Sequence, residues 1–382
     1  MKKVYFDNAA TTQLRDEVIA KMQESLKDFY GNPSSTHSFG RSSKTLIEKA
    51  RKTIAGQINA KPSEIIFTSG GTEADNMILR SAVRDLGVET IITSTIEHHA
   101  VLHTVEQLQK EYGIEVKYVD LETCGTPSIM SLEGLLKGDD SKKLVSLMHV
   151  NNEIGNMIDI DTVAELCKEH DALFHSDTVQ SIGHWEWDVQ STKVDFLTAA
   201  AHKFHGPKGI GFAYIRKDSA LKPFIFGGGQ ERGFRAGTES CHNIVGLEEA
   251  FLLAYKSLDE ERTYVKGLKH YFIDKIKKVF PEAKFNGNCA DEMKSTYTLV
   301  NVCLPIGEDK AQILLFHLDI NGIACSTGSA CQSGANEGSH VLRAILPQDE
   351  LKRPSLRFSF SKFNTKDEID YVVKILEDFS KD

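Results

Sequence analysis

The sequence predicts an α/β protein. A large domain is built on a mostly parallel seven-stranded sheet flanked by helices, and a smaller α/β domain follows at the C-terminal end. Two observations carry this expectation. Through the middle of the chain, short apolar runs alternate with helical-period stretches, the pattern of strands joined by crossover helices. After about residue 250 the texture changes to a charged helical stretch, "AFLLAYKSLDEERTYVKGLKHYFIDKIKKVF", and then to a second α/β segment. A chain of 382 residues has the length for two domains. The expected division is 14–250 for the large domain, and 1–13 with 251–382 for the small one.

Seven runs read as strands: "EIIFTSG" (64–70), "TIITST" (90–95), "EVKYVD" (115–120), "KLVSLMHV" (143–150), "ALFHSD" (172–177), "FLTAAAH" (196–202) and "GFAYIR" (211–216). Most are rich in β-branched or aromatic residues. Between them, "SSKTLIEKARKTIAGQI" (42–58) and "IDTVAELCKEH" (160–170) repeat apolar residues at helical spacing.

Composition narrows the function. Hydrophobic residues make up 41% and charged residues 26%, ordinary for a globular chain, and the net charge of −9 argues against a general binder of nucleic acid or anionic membrane. No apolar run reaches the roughly 18 residues of a membrane span. The start, "MKKVYFDNAATTQ", meets Asp7 and Asn8 before any apolar core develops, so it does not read as a signal peptide. Seven scattered cysteines without a CxxC pair suit a reducing cytoplasm, and neither a disulfide framework nor a metal site is expected.

Sheets of this kind bind ligands beyond the carboxyl ends of their strands. The first run ends in "TSGGTEADN", a glycine turn before a helix. The backbone N–H groups of that turn and the hydroxyl of Thr72 could cradle a phosphate, although a plain turn capped by Thr72 reads at least as well. "HSDTVQS" puts Asp177 at a strand end, as a carboxylate in the crevice or as a helix cap. "IEHHAV" brings His98 or His99 to the same edge, and "HVNNEIG" brings two asparagines. "FLTAAAHKFHGPKGIGF" delivers Lys203 between His202 and His205. A lone strand-end lysine usually snorkels to solvent, but one with a lowered pKa can form a Schiff base. A phosphate cradle, a carboxylate, a histidine and a lysine in one crevice together match pyridoxal 5'-phosphate.

The small domain carries "GIACSTGSACQSGANEGSHVLRAIL", with Cys331 in a polar loop where a thiol can react. Cys325, at a strand end, is a weaker rival for that role. "SLRFSF" presents Arg357, whose fork suits a substrate carboxylate.

Ten stretches in order then resemble the cysteine desulfurases of the NifS/IscS type, class V members of the fold-type I pyridoxal phosphate enzymes. They are "YFDNAATT", "GNPSSTHSFGR", "FTSGGTEADN", "EHHAV", "HVNNEIG", "HSDTVQS", "AHKFHGPKGIG", "GGGQERGFRAGTE", "STGSAC" and "LRFSF". The resemblance implies removal of sulfur from L-cysteine, giving L-alanine and a persulfide on Cys331. It implies that Lys203 holds the cofactor and moves protons at the substrate Cα, and that His98 stacks on the ring and serves the substrate thiol. Asp177 pairs with the ring nitrogen and Gln180 with the ring hydroxyl. Thr72, the Gly71 backbone and His202 hold the phosphate, helped by Thr238 from the partner subunit of a homodimer. Arg357, Asn152 and Asn32 bind the substrate carboxylate. The persulfide goes to an acceptor protein, an iron–sulfur scaffold or a tRNA-thiolation protein. Other functions on this pattern are a selenocysteine lyase, a transaminase, or a catalytically weak sulfur-relay or assembly protein.

One position departs from the family. Ala200 stands where a serine usually contacts the phosphate. One lost hydrogen bond to a charged group is worth roughly 1.5–3 kcal/mol, about tenfold to somewhat over a hundredfold in affinity. Weaker cofactor retention is expected, with Thr198 on the same strand face as a substitute donor.

Overall fold

A computed structural model describes residues 2–217, 219, 221–328 and 338–381, the Gln312 side chain excepted. From the N-terminus, β1 (Val4–Tyr5) precedes α1 (Asp16–Asp28) and α2 (Ser38–Gln57). Then strands and helices alternate: β2 (Ile65–Thr68), α3 (Gly71–Leu86), β3 (Thr90–Thr93), α4 (His99–Tyr112), β4 (Glu115–Tyr118), α5 (Ile129–Leu136), β5 (Lys143–Ser146), α6 (Ile160–Glu169) and β6 (Leu173–Asp177). β7 (Phe196–Ala200) and β8 (Gly211–Ile215) follow, with a 3-10 turn, Ala201–Lys203, between them. The rest comprises α7 (Cys241–Lys256), α8 (Leu258–Val279), β9 (Lys284–Phe285), β10 (Leu299–Cys303), α9 (Glu308–Ile320), β11 (Ile323–Ala324), α10 (His340–Ile345), β12 (Ser355–Ser359) and α11 (Lys366–Lys381).

All seven expected runs enter one sheet, in the order β2-β8-β7-β6-β5-β3-β4. β8 runs antiparallel to β2 and β7, and the other pairs are parallel. The apolar runs are nearly continuous because both faces are covered. Ile65 and Phe67 point into one core with Leu197 and Ala199, while Ile66 and Phe196 point into the other. Six strands end short of the predicted runs, β5 at Ser146 and β7 at Ala200 among them; only β6 reaches its expected end at Asp177. The extra residues leave the ladder and turn over the sheet's end, and Lys203 therefore closes a 3-10 turn instead of a strand.

The remaining strands form a three-stranded antiparallel sheet, β12-β10-β9, and a parallel pair, β1-β11. Val4 and Phe6 share an apolar core with Phe272, Val300, Phe358 and Val372. α7 runs past residue 250, and its Phe251 and Ala254 pack in the core of the large sheet. No described helix is long and apolar enough to cross a membrane.

Candidate active site

The sheet's carboxyl edge and the small sheet enclose a cavity. Gly71, Thr72, His98, Asn152, Asp177, Gln180, His202, Lys203 and Arg357 all line it. Gly71, Thr72, His98 and Asp177 reach it from element ends, Asn152, Gln180, His202 and Lys203 from the turns beyond strands, and Arg357 from the middle of β12. α3 begins at Gly71 behind Gly70, whose φ of 153° is left-handed, and no side chain caps that end. The helix cap is thus Gly70 and not Thr72, whose hydroxyl is left to the cavity. A helix start without a side-chain cap offers N–H groups and the positive end of its dipole to an anion.

Asp177 ends β6 and is buried. One oxygen accepts from the Val179 N–H at 2.9 Å, so the residue makes the local turn and also faces the cavity. Burial, and then the Asp75 carboxyl beside it, push its pKa up to about 7.

His98 caps α4, and its Nδ1 accepts from the Ala100 N–H at 3.1 Å. That bond leaves the ring proton on Nε2. Burial, and then the charge of Lys203, hold its pKa down to about 4, which keeps the ring neutral at physiological pH. Burial likewise holds His202 down to about 3, and its Nδ1 lies 3.2 Å from Thr11 Oγ1. The Lys203 ammonium donates to the carbonyls of Ala9 at 2.7 Å and Ala10 at 2.9 Å. Gln180 Nε2 donates to the same Ala9 carbonyl at 2.9 Å. Arg357, 1% exposed, donates from Nη1 to the Asn152 carbonyl at 2.8 Å and from Nη2 to Asp7 Oδ1 at 2.9 Å.

Asn32 and Thr238 do not line this cavity within one chain. Asn32 is exposed, and its Oδ1 accepts from the Ser34 N–H at 2.9 Å. Thr238 is exposed beside the strained turn at Glu231 and Arg232, both at positive φ. Cys331 lies outside the described residues. Cys325 is described; burial pushes its thiol up to about 12, against nucleophilic use. His99 rests against His340 instead of the cavity, ring centroids 4.4 Å apart. His205 is structural, its Nδ1 donating to the Gln13 carbonyl at 2.8 Å.

The aminotransferase class-V family model matches residues 4–372. The chain belongs to the aminotransferase class-V family. It is 41% identical over 385 residues to cysteine desulfurase IscS of Dictyoglomus turgidum, which covers 98% of this chain and 94% of the relative. A solved NifS-like protein matches with a TM-score of 0.89 at 36% identity over 99% of both chains. A structure titled SspA in complex with cysteine matches with a TM-score of 0.81 at 32% identity, over 95% of this chain and 100% of the other.

In this class-V chain three site residues escaped the sequence reading. Asp75 lines the cavity from inside α3, fully buried, with Oδ1 3.4 Å from His175 Nε2 and a hydrogen bond from Thr198. Burial pushes Asp75 up to about 7. Asp7 holds Arg357, and Ala9 sets the carbonyl that Lys203 and Gln180 share. Asp7 and Ala9 both fall in "YFDNAATT", a family signature whose residues show no strand-end placement in sequence. Thr198 does not serve as a spare phosphate donor. Its hydroxyl is committed to Asp75 and lies 3.2 Å from His175 Nε2.

Proposed function

We propose that the chain is a pyridoxal 5'-phosphate-dependent cysteine desulfurase, converting L-cysteine to L-alanine and leaving the sulfur as a persulfide on Cys331. The observation that carries this reading is Lys203, Asp177, His98 and Arg357 around one cavity, beside the uncapped start of α3. The class-V membership and the desulfurase relatives support it.

The donor set fits the cofactor. The open N–H groups at Gly71 and Thr72, with His202, suit a phosphate. The buried Asp177 carboxyl suits a ring nitrogen, and Gln180 a ring hydroxyl. A Cβ at Gly71 would come within 2.7 Å of Val179 Cγ2, so the backbone at the phosphate end has no room for a side chain. Thr238 would add a hydroxyl from the partner in a homodimer. When bound, pyridoxal phosphate supplies an electron sink for charge developing at the substrate Cα.

The chain's own residues do the rest. Lys203 Nζ moves the proton at the substrate Cα. Arg357, Asn152 and Asn32 bind the substrate carboxylate. Neutral His98 stacks on the ring, and its Nε2 serves as acid–base for the substrate thiol. The Cys331 thiolate attacks the substrate sulfur. The S–S bond forms as the C–S bond breaks, and protonation of the carbon left behind yields alanine.

The large part is proposed as 14–250, with 1–13 and 251–382 as the small part carrying the cysteine loop. The shared core of Val4 and Phe6 with Val265 and later residues supports the small part, while the end of α7, 251–256, packs on the large sheet. The cytoplasm is the proposed compartment, and an iron–sulfur scaffold or tRNA-thiolation protein the proposed acceptor.

The test is a turnover assay with L-cysteine and a reductant, measuring sulfide and alanine for the parent, Cys331→Ala and Lys203→Ala. Both products from the parent, and neither from the variants, is the expected result. Alanine without sulfide transfer, or sulfide from Cys331→Ala at the parent rate, would remove Cys331 from the mechanism.

A further inference from the structure

A second cavity lies between α8 and the segment 290–297, and it shares no lining residue with the first. Its apolar surface comes from Met157, Trp185, Ala290 and Tyr297. The indole of Trp185 meets the Tyr297 ring edge to face at 5.8 Å, and the Arg262 guanidinium covers the indole at 5.0 Å.

The charged lining is one-sided. Arg262, Lys266, Lys269 and His270 all come from one face of α8, and Glu292 is the single acidic residue among the lining. That carboxylate is already engaged. Lys266 pairs with it, and His270 Nε2 lies 3.5 Å away.

Lys269 is the residue that asks for a ligand. It is 3% exposed, and among the described residues its ammonium donates to neutral oxygens, Ser295 Oγ at 2.9 Å and the Thr296 carbonyl at 2.6 Å, with the Asp291 carboxylate acting on it from farther off. Burial pushes its pKa down to about 8. A buried cation held by neutral dipoles gains from an anion beside it. Two further donors, Trp185 Nε1 and Arg262 Nε, are closed off from solvent and have no acceptor among the described residues.

We propose that this cavity binds a small organic anion, a monocarboxylate with an aromatic body. The carboxylate sits toward Lys269 and Arg262, and the apolar body lies against Tyr297 and Met157. The site also has a route to the first cavity. Tyr297 Oη is 3.2 Å from His184 Nδ1, and His184 Nε2 donates to the Lys203 carbonyl at 3.0 Å. An occupant touching Tyr297 is thus two hydrogen bonds from the backbone of that lysine.

Calorimetric titration of phenylacetate into the cofactor-loaded protein tests the proposal. Saturable one-to-one binding is expected, at least about tenfold weaker for the neutral phenylacetamide, since an ion pair at a buried cation is worth well over 1 kcal/mol. The same loss is expected in Ala290→Phe, which fills the cavity mouth from an exposed position, and in Arg262→Gln. Three results overturn the proposal: no saturable binding, equal affinity for acid and amide, or unchanged binding in Ala290→Phe. The last would mean that the carboxylate goes to the Arg357 cavity instead.

Discussion

Arg357 and Asp7 form a 2.9 Å ion pair across 350 residues of sequence, with the arginine 1% exposed and the carboxylate side chain 18% exposed. Asp7 and the Asn152 carbonyl fix the guanidinium at Nη2 and Nη1, where the arginine lines the cavity. Removing one partner of a buried pair typically costs about 3 kcal/mol or more, because the other charge stays uncompensated. Asp7→Asn should lose about that much stability in a denaturant melt. Arg357→Lys keeps the charge but loses the fork. Its KM for L-cysteine should rise roughly tenfold to a hundredfold, the worth of one to two charge-assisted bonds, while cofactor content stays unchanged.

Gly71 sets how near a ligand can come to the start of α3. Gly71→Ala drives its new methyl to 2.7 Å from Val179 Cγ2, and overpacking of this kind costs about 1–3 kcal/mol. Cofactor affinity, read by dialysis and absorbance, should drop about tenfold. Adding Val179→Ala should recover most of it. A double variant as weak as the single one would show that the clash is not the cause.

Ala200 lines the cavity with no hydroxyl to offer, and Thr198 is committed elsewhere. Ala200→Ser should therefore tighten cofactor binding by about tenfold or more, one charge-assisted hydrogen bond's worth. Equal dissociation constants for parent and variant would mean that the phosphate lies out of reach of position 200.

Asp75 makes a pH prediction. Burial lifts its pKa from 3.8 to about 7, so the folded protein keeps a proton that the unfolded chain has released. That stabilisation is complete below about pH 3.8 and is lost as the pH rises through 7. Asp75→Asn has no such proton. Its stability relative to the parent, in cofactor-free protein, should therefore climb from about pH 4 to 7, by about 3 kcal/mol, and then level off. Asp177, pushed up to about 7 in part by the Asp75 carboxyl, loses that part of its shift in Asp75→Asn and adds to the same climb, whereas His98, His149 and His205, all held down to about 4, are common to both proteins. A difference that is flat with pH would place the proton elsewhere.

The sheet was legible because its seven strands are local apolar runs, and the strand-end groups because each follows its run directly. Asp177 and Lys203 needed only the rule that ligands sit beyond carboxyl ends, whereas the choice of His98 over His99 rests on the family resemblance. What could not be read depended on distant neighbours. In sequence Asp75 is an ordinary polar residue in the first turns of a helix. It is a buried carboxyl only because Thr198 and His175 arrive from β7 and β6. Asp7 stands in a short polar stretch near the N-terminus, and its partner Arg357 stands at the other end of the chain. The capping role given to Thr72 failed by two positions, since Gly70 takes the left-handed conformation that starts the helix.

The earliest-made residues finish the site last. Val4 and Phe6 bond to Gly322 and Ala324, Asp7 waits for Arg357, and the Ala9 N–H donates to Ser359 Oγ. As the chain leaves the ribosome, the sheet from β2 to β8 can assemble while this leading segment has nowhere to dock. The carbonyls that hold the Lys203 ammonium come into position only after residue 359 has been added. A ribosome stalled before β12 should therefore carry a folded sheet that retains no cofactor.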